Sequence, residues 1–260
     1  MKKNFISILI TNYNKDKFLK NCLDSLKKQN FKNFEVVIFD DCSTDKSLKI
    51  IKDYSKFKLI KNRKRRNLSA PLNQINGVIK AFNKSRGNLI CLLDSDDYFK
   101  KNKLKVIDNK FRKKNINCLY NLPKTQKKNF EFKNKNTNYV WPTIFPTSCI
   151  TISRKKFKIF EKYIQKSKYL NLEIDARLII FFKYYLNEYN VLKEKLTIYN
   201  YDENSITARI NKFSVKWWLR RFEAFQYLKY ILSKKKKIFK ISFDYLITMF
   251  FSFTIKLLKL

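Results

Sequence analysis

Short apolar runs alternate along the first hundred residues with segments whose apolar positions recur every three or four residues. The apolar runs predict buried strands at residues 5–11, 35–39, 59–60 and 89–93. The periodic segments predict helices at residues 16–29, 46–54 and 70–85, with Asp16 expected to cap the first and Pro71 in the first turn of the third. This alternation predicts right-handed βαβ units, and therefore an α/β fold with a mostly parallel sheet covered by helices on both faces.

The second half of the chain is less regular. Residues 121–138 are polar and predict a loop, whereas 140–152 end in a predicted strand. Further helices are expected at 155–164 and 172–187, and a late strand at 195–199. From about residue 212, aromatic residues interleave with lysines and arginines. We therefore expect one domain at 1–210, followed by a helical segment at 211–260.

Two predicted strands are followed by unusually acidic loops. Asp40 and Asp41 follow the second strand, and Asp94, Asp96 and Asp97 follow the fourth. Because the carboxyl ends of parallel strands meet at one edge of a sheet, both loops are expected to share a site. Clustered carboxylates repel one another unless a cation balances them, and Mg²⁺ or Mn²⁺ carrying a diphosphate would do so. The alternative is that these aspartates only form turns and helix caps.

Composition narrows the chemistry further. The chain has no histidine, which excludes imidazole bases, Ser-His nucleophiles and HExxH zinc sites. It has only 2 glycines, which excludes a glycine-rich phosphate loop. The 5 cysteines contain no CxxC pair, and the N-terminus lacks a small-residue cleavage site, so we expect reduced thiols and a cytoplasmic protein.

The net charge of +37 would attract nucleic acid or anionic lipid. The lysines are spread along the whole chain, however, which favours a general compositional bias over one binding stripe. Nucleic acid is therefore not the expected partner. A basic nucleic-acid- or membrane-binding α/β protein without catalysis remains the alternative to an enzyme.

Three motifs in a fixed order carry a family resemblance. They are SILITNYN at residues 7–14, FDDCSTD at 39–45 and LLDSDDY at 92–98, and with the EID segment at 173–175 they extend over about residues 1–205. In this order the chain resembles the family 2 glycosyltransferases, which have the GT-A fold and a DxD-type metal motif. The resemblance implies transfer of a sugar, with inversion, from a nucleoside-diphosphate sugar to an acceptor hydroxyl in cell-surface glycan synthesis.

The resemblance also assigns donor-binding residues. By position, Thr11 and Tyr13 would line the nucleotide pocket, and Asp41 would accept the N3–H of uracil or thymine. Cytosine lacks this proton, so UDP- or dTDP-sugars are the expected donors. Asp96 would contact the ribose and the metal, Asp97 would bind Mn²⁺ or Mg²⁺, and Asp94 would complete the acidic motif.

On the acceptor side, the resemblance implies that Asp175 is the general base, because removing a hydroxyl proton needs a carboxylate within hydrogen-bond reach. The alternative is a carboxylate that only complements the dipole of a helix N-terminus. Relatives often carry a histidine near the late strand, which this chain lacks. Asp202 or the carbonyl of Asn200 could substitute for it.

The C-terminal segment predicts contact with a membrane surface. Its longest uncharged run, residues 245–255, is shorter than the ~20 residues of a spanning helix. An interfacial helix fits better, with the expected contacts Trp217, Trp218, Lys234, Lys235, Lys236 and Lys237. We therefore expect a peripheral protein at the inner face of the plasma membrane, acting on a glycan or lipid-linked acceptor. Packing of these aromatic residues on the domain, and RNA binding through stacking, are the alternatives.

Overall fold

The computed structural model describes residues 3–125, 145–200 and 210–258. Within these ranges, eight strands form one sheet with the spatial order β3-β2-β1-β4-β7-β6-β8-β5. The strands are β1 (Ile6–Asn12), β2 (Phe34–Asp40), β3 (Lys58–Lys61), β4 (Leu89–Asp94), β5 (Tyr98–Phe99), β6 (Cys118–Thr125), β7 (Ile150–Ser153) and β8 (Val191–Tyr199).

Eight α-helices accompany the sheet in the same ranges: α1 (Asp16–Lys27), α2 (Ser47–Lys52), α3 (Ala70–Asn83), α4 (Lys103–Lys113), α5 (Arg154–Tyr163), α6 (Ile174–Ile180), α7 (Val215–Ser233) and α8 (Phe243–Leu257). The strands and helices predicted in the first hundred residues are confirmed, with their ends shifted by one or two residues. Helix α4 and strands β5 and β6 were not predicted.

The first four long strands run parallel and bring their carboxyl ends together. β1 pairs with β2 on one side and with β4 on the other, and β2 pairs with β3. In this register Thr11 lies opposite Asp94, and Asn12 lies opposite Asp40. The two acidic loops therefore leave the sheet on either side of β1, as the predicted topology requires.

The other half of the sheet is mixed. β7 is antiparallel to both β4 and β6, and β8 is parallel to β6. The short strand β5 follows the acidic motif directly and pairs antiparallel with β8, with Tyr98 opposite Ile198. The prediction of a loop from residue 121 was wrong for residues 121–125, which belong to β6. Pro123 obscures this strand in the sequence, because proline is uncommon inside strands. In the structure, the pairing of β6 with β8 shifts in register on both sides of Leu122. Residues 126–138 lie outside the described residues.

Hydrophobic cores lie on both faces of the sheet, which confirms the predicted layering. Residues of β1, β2 and β4 alternate between the two cores, so Leu9 faces one and Ile8 and Ile10 face the other. One core is closed by α3, α5, α6 and α7, and the other by α1, α2 and α4. Helix α7 thus contributes to the same core as the rest of the domain.

Gly77 allows α3 to lie close to the sheet beneath the site. A Cβ atom at this position would come within 2.7 Å of the Phe39 ring and 2.8 Å of the Thr11 methyl group. Such distances are well inside van der Waals contact, so a larger residue would push α3 away from β1 and β2. The glycine therefore helps to set the position of α3 against the strand that carries Thr11.

Two helix predictions need correction. Asp16 does not cap α1: it is the first helical residue, and its carboxylate accepts a hydrogen bond from the backbone N–H of Lys46 (3.3 Å). The helix predicted at 172–187 is α-helical only over α6 and continues as a π-helical turn, Phe181–Leu186. Asn187 ends this turn in the left-handed conformation (φ 57°), which asparagine tolerates better than most residues.

Candidate active site

The loop after β2 contains two aspartates with different surroundings. Asp40 is buried, and its carboxylate accepts hydrogen bonds from Asn12 Nδ2 (2.8 Å), Ser43 Oγ (2.7 Å) and the Ser43 backbone N–H (3.0 Å). These contacts fix the loop to β1. Asp40 is therefore a positioning residue, and it leaves Asp41 as the carboxylate directed towards other partners.

Asp41 and Tyr13 belong to one cluster. Asp41 accepts hydrogen bonds from Asn62 Nδ2 (2.7 Å) and from Arg65 Nε (3.1 Å), one on each carboxylate oxygen. The guanidinium of Arg65 lies 3.5 Å from the centre of the Tyr13 ring, within the range of a cation–π contact. Asn62 and Arg65 were missed by the sequence analysis, although the basic run at residues 61–66 directly after β3 was a signal.

The acidic motif after β4 is held by a different partner at each carboxylate. Asp94 Oδ1 accepts from Gln74 Nε2 (2.9 Å), and Asp96 pairs with Lys15 Nζ (2.8 Å). Asp97 is 1% exposed, and its Oδ1 accepts from the backbone N–H of Asn200 (3.0 Å). Its Oδ2 is also buried and has no hydrogen-bond partner among the described residues.

Burial and mutual repulsion shape the ionisation of this motif. Burial, with the nearby charge of Asp96, raises the pKa of Asp94 to about 7, against the opposing effects of Gln74 and Lys15. Burial, with the charges of Asp96 and Asp94, also raises the pKa of Asp97 well above its usual range. A buried carboxylate oxygen without a partner carries a desolvation cost that a bound cation would offset.

These residues fit a divalent cation held partly by its substrate. Among the described residues, no three carboxylate or thiolate side chains are grouped as metal ligands. The structure thus does not bring Asp94, Asp96 and Asp97 together as a complete metal cage. Proteins commonly hold Mg²⁺ through one or two carboxylates plus substrate phosphates, and the free Oδ2 of Asp97 suits that arrangement.

Lys103 of α4 is fully buried and helps to hold the acidic motif in position. Its Nζ donates to the Ser148 carbonyl (2.6 Å) and to Thr197 Oγ1 (2.7 Å), so it links the turn at Thr147–Cys149 to β8. Ser148 in turn accepts a hydrogen bond from the backbone N–H of Asp94 (2.9 Å). Burial lowers the pKa of Lys103 to about 8. No sequence signal points to this residue, because one lysine does not stand out in so lysine-rich a chain.

Asp175 lies in the first turn of α6 and is 8% exposed. Its Oδ1 accepts from the backbone N–H of Ala176 (2.7 Å). Burial raises the pKa of Asp175 to about 7; the charge of Glu173 adds to this rise and the charge of Arg220 opposes it. The charge of Asp94 also raises this pKa, so Asp175 and the acidic motif lie within electrostatic range of each other.

The segment that carries Asp175 is fixed from two sides. Arg177 is fully buried and donates to five backbone carbonyls between residues 164 and 172. Glu173 Oε2 accepts from Arg220 Nε of α7 (2.6 Å), and Glu223 of α7 accepts from both the backbone and the side chain of Asn171. Helix α7 therefore directly supports the loop before α6.

The family of this chain follows from its similarity to known sequences. The sequence model of glycosyl transferase family 2 matches residues 7–189, a stretch that includes every motif described above. The chain belongs to glycosyl transferase family 2. This confirms the family resemblance of the three motifs.

Curated relatives of this family match a shorter stretch. The chain is 37% identical over 102 residues to the poly(ribitol-phosphate) beta-N-acetylglucosaminyltransferase TarS of Staphylococcus aureus, which covers 38% of this chain and 17% of that protein. It is 33% identical over 102 residues to the putative glycosyltransferase EpsH of Bacillus subtilis, covering 38% of this chain and 28% of that protein. The matched stretch is therefore less than a third of the length of either relative.

Solved structures confirm the GT-A glycosyltransferase fold. The crystal structure of S. aureus TarS residues 1–349 in complex with UDP-GlcNAc superposes with a TM-score of 0.67 at 19% identity, covering 87% of this chain and 66% of that one. The mannosyltransferase PcManGT of Pyrobaculum calidifontis, in complex with GDP-Man and Mn²⁺, gives a TM-score of 0.58 at 13% identity, covering 94% and 68%.

The remaining residues predicted from the sequence differ in their surroundings. Asn200 donates two hydrogen bonds to the acidic motif, from its backbone N–H to Asp97 and from its Nδ2 to the Asp96 carbonyl (2.5 Å). The predicted contact through the Asn200 carbonyl is therefore replaced by contacts through its N–H groups. Asp202 lies outside the described residues. Trp218 is buried and stacks on Phe251, and Trp217 is half-buried beside Arg221. By contrast, the lysines at 234–237 are exposed.

Proposed function

We propose that this chain is an inverting glycosyltransferase that moves a sugar from a UDP- or dTDP-sugar to a hydroxyl of a cell-surface glycan of the polysaccharide or lipopolysaccharide type. The observation that carries the proposal is the parallel register that brings the two acidic loops, which begin at Asp40 and Asp94, to one edge of the sheet on either side of β1. Family membership supports it, as does the similarity to TarS, a poly(ribitol-phosphate) beta-N-acetylglucosaminyltransferase whose crystal structure contains UDP-GlcNAc.

The nucleotide would bind at the cluster of Tyr13, Asp41 and Arg65, beside Thr11. Each oxygen of Asp41 accepts one hydrogen bond and keeps capacity for a second, so the carboxylate is able to accept the N3–H of uracil or thymine as well. Tyr13 is 37% exposed and offers an aromatic surface for stacking. Arg65 holds Asp41 in place and adds positive charge close to the donor.

The diphosphate would bind at the acidic motif. Asp97, through its free Oδ2, and Asp96 would hold Mn²⁺ or Mg²⁺ together with phosphate oxygens of the donor. When bound, the ion neutralises charge that builds on the departing diphosphate. Lys15, which pairs with Asp96, adds positive charge at the same place.

Asp175 would act as the general base. The acceptor oxygen forms a bond to the anomeric carbon while the bond from that carbon to the diphosphate oxygen breaks, and the hydroxyl proton passes to Asp175. The raised pKa of Asp175, about 7, suits this role because a base is most effective when its pKa lies near the working pH. Activity is therefore expected to rise with pH through about 7 as Asp175 loses its proton.

The test combines nucleotide binding with turnover. Thermal unfolding with UDP, dTDP, GDP and CDP, each with and without Mn²⁺, should show stabilisation by UDP or dTDP that depends on Mn²⁺. Asp175→Asn should keep this stabilisation and lose release of UDP from UDP-sugars in the presence of acceptor. Absence of stabilisation by every nucleotide, together with binding of short RNA or anionic vesicles, would instead favour a binding protein without catalysis.

A further inference from the structure

One side of α8 exposes a continuous stripe of large apolar side chains. The fractional exposures are 77% for Phe243, 53% for Leu246, 67% for Phe250, 68% for Phe253 and 71% for Leu257. Their spacing of three and four residues places them on one side of the helix, which we call the outer face. The opposite side, with the buried residues Tyr245, Thr248, Ser252 and Ile255, packs against the domain.

The outer face carries no charged residue. The only charged residues within α8 are Asp244, which pairs with Arg221 of α7, and Lys256. Among the described residues, no segment covers the stripe. Beside it lies a cavity of 440 Å³ with an apolar lining formed by Phe213, Val215, Trp218, Ile247, Phe251 and Ile255. An uncovered apolar surface of this extent usually marks an interaction site.

A cationic loop leads directly into the outer face. Between α7 and α8, the lysines at 234–237 and Lys240 are all exposed. Two isoleucines in the same loop are exposed as well, Ile238 at 88% and Ile241 at 68%. We call residues 234–242 the lysine loop. It thus combines positive charge with apolar side chains next to the apolar stripe.

We propose that the outer face of α8 and the lysine loop dock this protein onto an anionic phospholipid bilayer, with α8 lying in the plane of the surface. The apolar stripe would enter the acyl-chain boundary while the lysines contact lipid phosphates. No helix in the described part of the chain is long and apolar enough to span a membrane. This proposal assigns the main apolar contact to α8; Trp218 is buried and stacked against Phe251, so its ring does not face outwards.

Charge distinguishes a bilayer from other occupants of this surface. A second copy of the chain would bring another net charge of +37 to the interface, which opposes self-association. Nucleic acid would engage the lysines but would leave the stripe of Phe and Leu exposed to water. An anionic bilayer satisfies both features, since it offers negative headgroups and hydrocarbon at the depth of one helix.

The docked helix would be linked to the acceptor side of the site through direct contacts. Asp244 of α8 pairs with Arg221 of α7, and Ser252 Oγ donates to the Trp218 carbonyl (3.4 Å). α7 in turn pairs with Glu173, next to α6, through Arg220. Docking would therefore hold the loop before α6 at a set position relative to the membrane. This position suits an acceptor carried on a lipid.

The experiment is sedimentation of the full chain with vesicles of phosphatidylcholine, alone or with about 30% phosphatidylglycerol. We expect binding that needs the anionic lipid and weakens with salt. Phe250→Ser with Phe253→Ser should lower the partition coefficient at least about tenfold, whereas tryptophan at both positions should preserve it. Replacing the four lysines at 234–237 by glutamine should lower it more than about a hundredfold, at about fivefold for each charge.

A matched control removes the same charge elsewhere: Lys49, Lys52, Lys56 and Lys113 changed to glutamine should have a much smaller effect. Circular dichroism and Mn²⁺-dependent stabilisation by UDP, measured on each variant, separate loss of docking from loss of fold or of donor binding. Failure of the unaltered protein to bind anionic vesicles would overturn the proposal, as would unchanged binding by the serine variant. A dimer that becomes monomeric in the serine variant would assign the outer face to a second copy instead.

Discussion

Replacing Asp175 by asparagine should make the protein more stable at alkaline pH while abolishing glycosyl transfer. Asp175 is 8% exposed, and burial raises its pKa from 3.8 to about 7. The ionised form is therefore disfavoured in the folded protein. Asparagine resembles the protonated acid in shape, and its Oδ1 is able to keep the hydrogen bond from the Ala176 N–H. The substitution thus removes the cost of the buried charge without opening a cavity.

The magnitude follows from linkage between protonation and folding. A carboxyl whose pKa is higher in the folded than in the unfolded protein makes its full contribution to the free energy of unfolding at a pH below the unfolded pKa, here 3.8. This contribution is lost as the pH rises through the folded pKa. A rise from 3.8 to about 7 corresponds to about 4 kcal/mol at pH well above 7. The free energy of unfolding of Asp175→Asn should therefore equal that of the unaltered protein near pH 4 and exceed it by up to about 4 kcal/mol at pH 9.

Urea unfolding of both proteins between pH 4 and pH 9, in buffer containing a chelator, measures this difference directly. Glu194→Gln, which removes an exposed carboxylate on β8, serves as the control and should show no comparable rise. A difference between Asp175→Asn and the unaltered protein that stays constant across this pH range would refute the argument. So would a loss of stability on substitution at pH 9, because it would mean that the ionised carboxylate has a stabilising partner.

Three further predictions test the donor side and its support. Asp97→Asn should abolish the Mn²⁺-dependent stabilisation by UDP in thermal unfolding, whereas the control Asp53→Asn, at an exposed position, should keep it. If Asp97→Asn keeps the increase in unfolding temperature, Asp97 does not bind the metal. Tyr13→Ala should weaken UDP binding, measured by calorimetry, by about 1–3 kcal/mol, and Tyr13→Phe should change it little. Equal affinity of Tyr13→Ala and the unaltered protein for UDP would exclude stacking on Tyr13. Lys103→Met should lower the free energy of urea unfolding by about 1–3 kcal/mol by removing two buried hydrogen bonds from a charged donor, unlike the exposed Lys105→Met; equal effects would argue against Lys103 as a support.

The fold was most predictable where it depends on local pattern. From β1 to β4 each strand is a short apolar run and each helix has one buried face, so periodicity alone located them. β6 was missed because Pro123 and Lys124 interrupt its apolar pattern, and β5 because two residues are too short to produce one. β8 supplies hydrogen-bonding partners for both strands and β7 supplies further ones for β6; β8 is about 70 to 100 residues distant in the chain.

In the candidate site, the sequence indicated the acidic residues but not what holds them. Aspartates at strand ends in a basic chain are conspicuous, and the parallel register brings them to one edge. Their partners come from distant segments: Arg65 for Asp41, Asn200 for Asp97, and Arg220 of α7 for Glu173 beside Asp175. Asn200 was considered from the sequence, and the basic run at 61–66 pointed to the region of Arg65, but Arg220 is not distinguishable in a chain with 58 lysines and arginines.

Residue order and spacing are enough to predict the alternating α/β layers, the edge of the sheet where acidic residues collect, and the membership of family 2 glycosyltransferases. The three-dimensional packing was needed to show which oxygens are left without partners among the described residues, which carboxyls are desolvated enough to raise their pKa, and which side of α8 remains exposed. Such properties depend on burial and on long-range contacts, so they arise only when segments far apart in the chain pack together.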